Sequence, residues 1–270
     1  MPTLADIRVY PIKSLDSEAV DSVRLTAAGA PAPDRRYAII DESGEYVNGK
    51  NECQVHRIRS EFDLDANRLR LRTTADGEWA AFDPDEDRTA LESWLSEFFG
   101  YDVTVRRDDQ QGYPDDTNAT GPTLISTGTL EAIASWFDGG GDWPALDADD
   151  LLRRFRPNLV VEAPAFWEDR LYADRDSTVS FSVGGVEFDG LNPCQRCVVP
   201  TRDPDTGERD DGFQARFVER RRATLPEWVD RDWYDHFYRV MVNTRVPDAP
   251  ATLSVGDHII CDREPNPDAI

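Results

Sequence analysis

Short strand-like runs separated by turn residues dominate the first hundred residues, and this pattern constrains the fold most strongly. The runs are rich in β-branched and aromatic residues, and Gly, Asp and Asn stand between them. We predict strands over residues 5–10, 20–25, 37–40, 46–47, 61–64, 68–73, 78–82 and 101–105, with turns at 42–45, 65–67 and 75–77. One helix is predicted over residues 88–99, where apolar residues share one face, Asp87 is a candidate N-cap and Gly100 follows the last turn.

A polar, turn-prone segment at residues 108–118 is the best candidate for a domain boundary. After it we predict strands over residues 122–126, 158–161, 178–183, 186–188, 237–242, 251–253 and 258–261, helices over 127–137, 147–155, 213–222 and 226–237, and a Gly-rich loop at 138–143. The strands rarely alternate one-for-one with helices, which disfavours a doubly wound parallel sheet. The pattern predicts a β-rich α+β fold with a β-barrel and a few flanking helices, divided into residues 1–110 and 111–265.

The charge balance excludes two classes of partner. The chain has 53 acidic and 30 basic residues, a net charge of −23, which would repel nucleic acid and anionic lipid surfaces. No apolar run approaches the roughly 18 residues of a membrane span, and the N-terminus lacks the features of a secretory signal. We therefore expect a cytoplasmic protein without nucleic-acid or membrane partners. The Asp-rich, Lys-poor composition is typical of halophiles, and it makes the two lysines, Lys13 and Lys50, candidates for a function.

Two of the four cysteines, Cys194 and Cys197, form a Cys-x-x-Cys sequence that we place on a loop after a β-hairpin. A zinc site would need further ligands that the chain does not supply at the usual spacing. A thioredoxin-like dithiol should open a helix, whereas residues 198–200 are typical of extended chain. A single thiolate ligand to a soft transition metal, with Arg196 favouring the ionised sulfur, remains open beside two buried, inert thiols.

The stretch from residue 192 to 207 resembles the signature of the MOSC superfamily, the C-terminal domain of molybdenum cofactor sulfurases. Its Cys-x-Arg-Cys followed by Asp-Pro-x-Thr-Gly is most similar to the mitochondrial amidoxime-reducing component and its bacterial relatives. Further similar motifs stand in the family's order: Tyr-Pro-Ile-Lys-Ser at 10–14, Asp-Arg-Arg-Tyr at 34–37, Val-Asn-Gly-Lys-Asn at 47–51, Phe-Arg-Pro-Asn at 155–158 and Leu-Ser-Val-Gly-Asp at 253–257. The family usually has Trp at position 37 and Arg at position 50.

The resemblance implies a MOSC N-terminal β-barrel domain over residues 1–110 and a MOSC domain over 111–265. It also implies a molybdenum–pterin cofactor (Mo-molybdopterin), with Cys197 as the metal ligand and catalytic residue. The implied cofactor-binding residues are Lys13, Ser14, Arg35, Lys50, Arg156, Asn158 and Arg196. An anionic cofactor in an acidic protein needs local cations, which agrees with this set. The role of Cys194 and a cofactor contact by residues 115–120, which depart from the family pattern, stay open.

The resemblance further implies reduction of small N-hydroxylated substrates of the amidoxime or hydroxylamine type. Some bacterial relatives carry a ferredoxin domain, and these 270 residues contain no iron–sulfur motif. We therefore expect a separate electron-transfer protein, either a ferredoxin or a cytochrome b5-like protein. The alternative is a non-catalytic carrier of molybdenum cofactor, or a sulfur carrier using a Cys197 persulfide.

Overall fold

Strands form most of the regular structure in the computed structural model, which describes residues 1–74, 77–138 and 145–261. Within these residues the strands are β1 (Thr3–Val9), β2 (Glu18–Ala19), β3 (Ser22–Arg24), β4 (Tyr37–Asp41), β5 (Ile58–Asp63), β6 (Arg68–Thr73), β7 (Ala80–Phe82), β8 (Val103–Arg107), β9 (Leu124–Ser126), β10 (Leu159–Glu162), β11 (Val179–Val183), β12 (Val186–Gln195), β13 (Arg239–Arg245), β14 (Thr252–Ser254) and β15 (Ile259–Ile260). The α-helices are α1 (Arg88–Phe99), α2 (Thr127–Trp136), α3 (Ala148–Phe155) and α4 (Phe213–Thr224), and short 3-10 turns cover Cys53–Arg57, Trp167–Leu171 and Val199–Thr201. The β-rich α+β prediction is confirmed.

The largest sheet has eight strands in the order β15-β11-β12-β13-β9-β10-β1-β2. Its neighbours are antiparallel except for β9 and β10, which run parallel. A bridge between Thr3 and His258, with the Ile259 N–H donating to the Pro2 carbonyl at 2.9 Å, joins the first strand to the last. The sheet therefore curls back on itself, and its inward-facing side chains, such as Ile7 and Phe188, are fully buried.

A second, smaller part is built from the hairpin sheet β5-β6-β7, the pair β4-β8 and α1. Helix α1 buries Leu91, Leu95 and Phe99, four residues apart, so that one face covers these strands. Strands β1 and β2 belong by sequence to the first 110 residues but pair within the large sheet. The chain therefore passes between the two parts more than once. The domain boundary at residue 110 stays a prediction.

The helices of the second half begin where side-chain caps favour it. The Ser126 hydroxyl accepts from the Thr129 N–H at the start of α2. Asp147 caps the start of α3, where it forms a capping box with Asp150. Helix α3 ends at Arg156, whose backbone is left-handed with φ of 58°. That reversal turns the Phe-Arg-Pro-Asn sequence toward β10.

Three predicted elements are wrong. Residues 226–237 form isolated turns rather than a helix, because aspartates such as Asp230 and Asp235 accept from nearby backbone N–H groups and compete with helical bonding. Residues 198–200 are not extended, since a 3-10 turn with Pro200 in its first turn follows Cys197. Strand β12 runs on through Cys194 to Gln195, so only Cys197 of the cysteine pair follows the strand.

Smaller differences concern strand ends. The predicted strand at 20–25 corresponds to β3 at residues 22–24, whereas β2 lies before it at residues 18–19. The strand predicted at 46–47 is a single bridge from Tyr46 to Ile40. Helix α1 begins after Asp87 as predicted, although the Asp87 side chain makes no capping bond. The predicted turn at 75–77 and the Gly-rich loop at 138–143 fall mostly on residues 75–76 and 139–144, outside the described residues.

Candidate cofactor site

A cavity of about 1000 Å³ is lined by both parts of the structure. All eight residues predicted for the cofactor and the metal line it: Lys13, Ser14, Arg35, Lys50, Arg156, Asn158, Arg196 and Cys197. These residues come from five separate stretches of sequence, and folding places them around one space. The structure thus brings the predicted site residues together. That they bind a cofactor stays a prediction.

Lys13 is positioned by backbone bonding between its own segment and β4. The Lys13 N–H donates to the Tyr37 carbonyl at 2.8 Å, and the Tyr37 N–H donates to the Pro11 carbonyl at 3.0 Å. The adjacent Ser14 has φ of 77°, which turns the chain at the cavity wall. Its hydroxyl makes no hydrogen bond within the described part of the chain. The segment therefore presents an amine and a hydroxyl side by side.

Lys13, Arg35 and Lys50 surround the Asp115 carboxylate, and we call these four residues the cavity cluster. The Lys13 Nζ lies 2.7 Å from Asp115 Oδ1, the Arg35 Nε lies 3.8 Å from Oδ2, and the Lys50 Nζ lies 3.9 Å from Oδ1. Lys13 is 6% exposed, whereas the Lys50 and Asp115 side chains are half exposed. The loop at 108–118, predicted as a boundary and with a cofactor contact by residues 115–120 left open, thus brings a carboxylate to the cavity.

The pKa values in this cluster follow from burial and charge. Burial lowers the pKa of Lys13, and Asp115 partly opposes that shift. The protein around Asp115 would by itself raise its pKa, but Arg35, Lys13 and Lys50 outweigh this and hold that pKa well below its usual range. Asp115 is therefore ionised at pH 7, and it balances only part of the positive charge around it.

Arg35 and Arg156 lie against the same aromatic ring. The guanidinium of Arg35 lies 5.2 Å and that of Arg156 4.1 Å from the ring centre of Tyr10, which is buried. Arg35 also bonds Asp34, and Arg156 donates to the Leu15 carbonyl at 2.7 Å. Burial lowers the pKa of Arg156, with Arg35 adding to that effect, so this wall of the cavity is rich in positive charge.

Asn158 has its side chain occupied by the fold. Its Oδ1 accepts from the Thr123 N–H at 3.2 Å, and its Nδ2 donates to the Arg8 carbonyl at 3.1 Å. The residue ties β1 to the segment before β9 at the place where both meet the cavity. Asn158 therefore fixes the shape of the wall, in addition to lining it.

Arg196 contacts the cysteine that the sequence left unassigned. Its Nη1 lies 3.1 Å from the Cys194 Sγ and 3.6 Å from the Met241 Sδ, while Nη2 donates to the Phe155 carbonyl at 2.9 Å. The Cys197 Sγ instead accepts from the Val199 N–H at 3.5 Å. The two sulfurs thus have different environments: Cys194 is hydrogen-bonded to a guanidinium, and Cys197 lies at the start of a 3-10 turn on the cavity wall.

The Asp-Pro-x-Thr-Gly segment fastens the cysteine loop to the N-terminal part. The Asp203 carboxylate accepts from the Asp205 and Thr206 N–H groups and closes the turn. Gly207 has φ of 74°, and a Cβ there would lie 2.2 Å from the Cys53 carbonyl oxygen. Arg202 then donates to the Gly49 carbonyl at 3.0 Å, which positions the loop that holds Lys50.

Several further residues of the cavity wall were missed by the sequence reasoning: His56, Arg59, Arg153, Arg175, Asn192, Trp233, Arg239, Met241 and Asn243. Burial, with the charges of Arg156 and Arg202, lowers the pKa of His56 to about 4, so this imidazole is neutral at pH 7. Apart from Asn192, which opens the 192–207 stretch, these positions lie outside the motifs quoted above, and the folded chain brings them together.

Two kinds of feature are absent from the described residues. No group of three or more His, Cys, Asp or Glu side chains among them is placed to hold a metal ion. No helix in that same portion has the length and apolar character needed to cross a bilayer.

Comparisons with known proteins agree with the motifs. The profile of the MOSC N-terminal beta barrel domain matches residues 1–138, and that of the MOSC domain matches residues 124–260. A molybdenum cofactor sulfurase of Danio rerio is 24% identical over 298 residues, which cover 96% of this chain and 34% of the sulfurase. Mitochondrial amidoxime reducing component 2 of Bos taurus is 23% identical over 250 residues, 77% of this chain and 68% of that protein. Component 1 of Homo sapiens is 25% identical over 303 residues, 95% of this chain and 82% of that protein. The chain thus spans about a third of the length of the sulfurase it matches.

Proposed function

The chain belongs to the MOSC domain family, and from that premise we propose that it is a molybdenum-cofactor-dependent oxidoreductase of the cytoplasm. Its proposed substrates are small N-hydroxylated compounds of the amidoxime or hydroxylamine type. A separate electron-transfer protein, a ferredoxin or a cytochrome b5-like protein, supplies the electrons.

The observation that supports this proposal is the pairing of an accessible thiol with excess positive charge in one cavity. Lys13, Arg35, Lys50 and Arg156 line the cavity against the carboxylates of Asp34 and Asp115. A local excess of cations is unexpected in a protein of net charge −23 unless the space receives an anion. The phosphate and polar ring atoms of a pterin match the donors of lysine and arginine side chains.

The same residues define what the chain does with the cofactor. Lys13, Arg35, Lys50 and Arg156 bind its anionic and polar edge, and the Ser14 hydroxyl adds a hydrogen bond. Cys197 supplies the soft sulfur ligand, and the Val199 N–H, which donates to its Sγ at 3.5 Å, helps to orient the sulfur. The bound molybdenum supplies two-electron oxygen-atom chemistry that side chains alone do not offer. The N–O reduction consumes two protons and two electrons and releases water.

The names of two relatives favour the reductase over other molybdenum chemistry. Both are amidoxime-reducing components, and this chain aligns with 68% and 82% of their lengths. Reduction of amidoximes by this chain is therefore the activity to test.

Three cysteine variants test it. Cys197→Ser should lower reduction of benzamidoxime, driven by reduced viologen, more than about 100-fold, because a hydroxyl replaces the soft ligand. Cys194→Ser should lose less than about tenfold, since it removes only an acceptor of Arg196. Cys53→Ser, an exposed thiol outside the cavity wall, is the matched control and should retain full activity. Equal losses in the Cys194 and Cys197 variants, with the fold intact by circular dichroism, would contradict the single-ligand assignment.

A second candidate is favoured by the sulfurase relative, which matches 96% of the chain. In it, the protein carries molybdenum cofactor or a Cys197 persulfide without reducing a substrate. Native mass spectrometry separates the two: a bound pterin and metal supports the cofactor protein, whereas a mass increase of one sulfur atom lost in Cys197→Ser supports sulfur transfer.

A further inference from the structure

One section of the cavity wall is not used by the proposed cofactor contacts. It consists of Arg175, Asn192, Trp233, Arg239 and Asn243, and we call it the substrate lobe. Strands β12 and β13 hold it together, since Asn192 pairs with Asn243 and Gln195 pairs with Arg239 in the ladder. Cys197 is two residues beyond Gln195, so the lobe adjoins the proposed metal ligand.

Arg239 is a buried cation with unused hydrogen-bonding capacity. The residue is 6% exposed, its Nη2 lies 3.1 Å from Asp235 Oδ1, and its Nη1 makes one long contact of 3.4 Å to the Pro193 carbonyl. Its buried Nε has no partner among the described residues. Because a guanidinium has five N–H donors, this arrangement leaves room for a second acceptor group.

Arg175 provides a second cation beside an aromatic surface. Its guanidinium lies 4.8 Å from the ring centre of Trp233, and the Trp233 Nε1 donates to the Ala173 carbonyl at 2.6 Å, which fixes the indole. The Arg175 Nη2 lies 3.8 Å from Asp235 Oδ2. The lobe thus combines a flat apolar face with two guanidinium groups.

The Asp235 carboxylate lies between these two cations. It is 63% exposed and contacts Arg239 and Arg175 through different oxygens. His236, 4.0 Å from Asp235, adds no charge at pH 7, since burial and Arg239 lower its pKa. Two guanidiniums therefore face one exposed carboxylate, and the net charge of the lobe is positive.

We propose that the substrate lobe selects planar N-hydroxylated substrates that carry a carboxylate. The carboxylate contacts Arg239 and Arg175 beside or in place of Asp235, the ring of the substrate lies on Trp233, and the Asn192–Asn243 amide pair, joined at 3.0 Å, offers further polar contacts. The N–OH group then lies toward Cys197. This inference rests on the proposed reductase function and names its substrate class.

Binding and turnover test it separately. Isothermal titration with the cofactor-loaded protein should show 4-carboxybenzamide binding at least about tenfold tighter than benzamide, because charge-assisted bonds to a guanidinium exceed neutral ones. In turnover, the carboxylated amidoxime should reach its half-maximal rate at a lower concentration than benzamidoxime does, by the same ratio. Arg175→Gln should reduce the ratio toward one, as should Arg239→Gln if that variant folds. Arg245→Gln, which removes an exposed arginine paired with Asp189 outside the lobe, should leave the ratio unchanged.

Equal affinity for the neutral and anionic amides would overturn the proposal. So would tighter binding of cationic 4-(aminomethyl)benzamide, which would mean that Asp235 dominates the lobe, or an equal effect of Arg245→Gln, which would indicate a general charge effect. If neither amidoxime is reduced while the carboxylate preference persists in titration, the reductase proposal fails and the anion-binding lobe stands.

Discussion

Two of the groups of charged side chains in the described part of the chain differ in how their charges are matched. The cavity cluster of Lys13, Arg35, Lys50 and Asp115 opens onto a space of about 1000 Å³. The second group, which we call the core network, is closed within the barrel and contains Glu168, Asp169, Tyr172, Arg221 and Tyr234.

In the core network, the charge of Arg221 is paired with the Asp169 carboxylate. Arg221, fully buried, donates from Nη2 to both oxygens of Asp169 at 2.6 and 2.7 Å and to the Tyr234 hydroxyl at 2.9 Å. The Tyr172 hydroxyl donates to Asp169 Oδ1 at 2.9 Å. Such a matched buried pair is a structural element, because removal of either partner leaves an uncompensated charge.

The cavity cluster is matched differently. Three cations converge on Asp115, and only Arg35 has a further carboxylate, Asp34, beside it. The excess positive charge of Lys13, Arg35 and Lys50 faces the cavity rather than the apolar core. The ratio of opposite charges, more than burial alone, therefore distinguishes the cavity cluster from the core network.

The largest expected difference comes from neutralising one carboxylate in each group. Asp169→Asn should lower the free energy of unfolding by about 3–5 kcal/mol, since it leaves Arg221 buried without a counter-charge. Asp115→Asn should lower it by less, because that side chain is half exposed and the cations around it face the cavity. Urea denaturation of the two variants measures both values, and similar losses would remove the distinction between the groups.

A second prediction concerns Glu168, which lies in the core network with 1% exposure. Burial and the neighbouring Asp169 raise its pKa from the ordinary 4.5 to about 7. Below pH 4.5 both folded and unfolded chains hold this proton. Between 4.5 and 7 the unfolded chain releases it first, so the contribution of Glu168 to stability falls as the pH rises.

The Glu168→Gln variant should not lose stability in this way as the pH rises. At pH 8 the variant should be more stable than the parent by about 3 kcal/mol, because one pKa unit corresponds to about 1.4 kcal/mol. At pH 4.5 the two should be equally stable, since the protonated carboxyl and the amide both accept from the Thr129 hydroxyl, now 3.0 Å from Oε2. A difference between the two proteins that does not vary with pH would refute the assignment.

The cavity cluster was largely predictable from the sequence, and the core network was not. Lys13, Arg35 and Lys50 stand in short motifs, and the two lysines are conspicuous in a chain with 28 arginines. Asp169 and Arg221 are ordinary residues of an Asp- and Arg-rich chain, and only tertiary packing brings them within 2.6 Å. Sequence motifs therefore located residues that line the cavity, and not those that form the core network.

The secondary-structure elements that the sequence predicted well are those with a local pattern. Hairpins such as β5-β6 and β6-β7 have period-two alternation and local turns, and their strands were predicted to within a few residues. The segment at 226–237 has apolar residues at helical spacing, but they pack as separate anchors: Trp233 bonds Ala173, and Tyr234 bonds Arg221. Long-range contacts replaced the helix there, and no local pattern records them.

The smallest expected effect compares cations within the cavity cluster itself. Lys13→Ala should weaken retention of pterin and molybdenum together by about 10- to 100-fold, since a charge-assisted bond to an anion contributes about 1.5–3 kcal/mol. Lys50→Ala should have a smaller effect, because its side chain is half exposed and screened by solvent. Arg70→Ala, an exposed arginine outside the cavity wall, serves as the control and should retain both. Pterin fluorescence and metal analysis after identical dialysis give the two occupancies. If Lys13→Ala kept both cofactor components but lost turnover, Lys13 would act on the substrate instead of holding the cofactor.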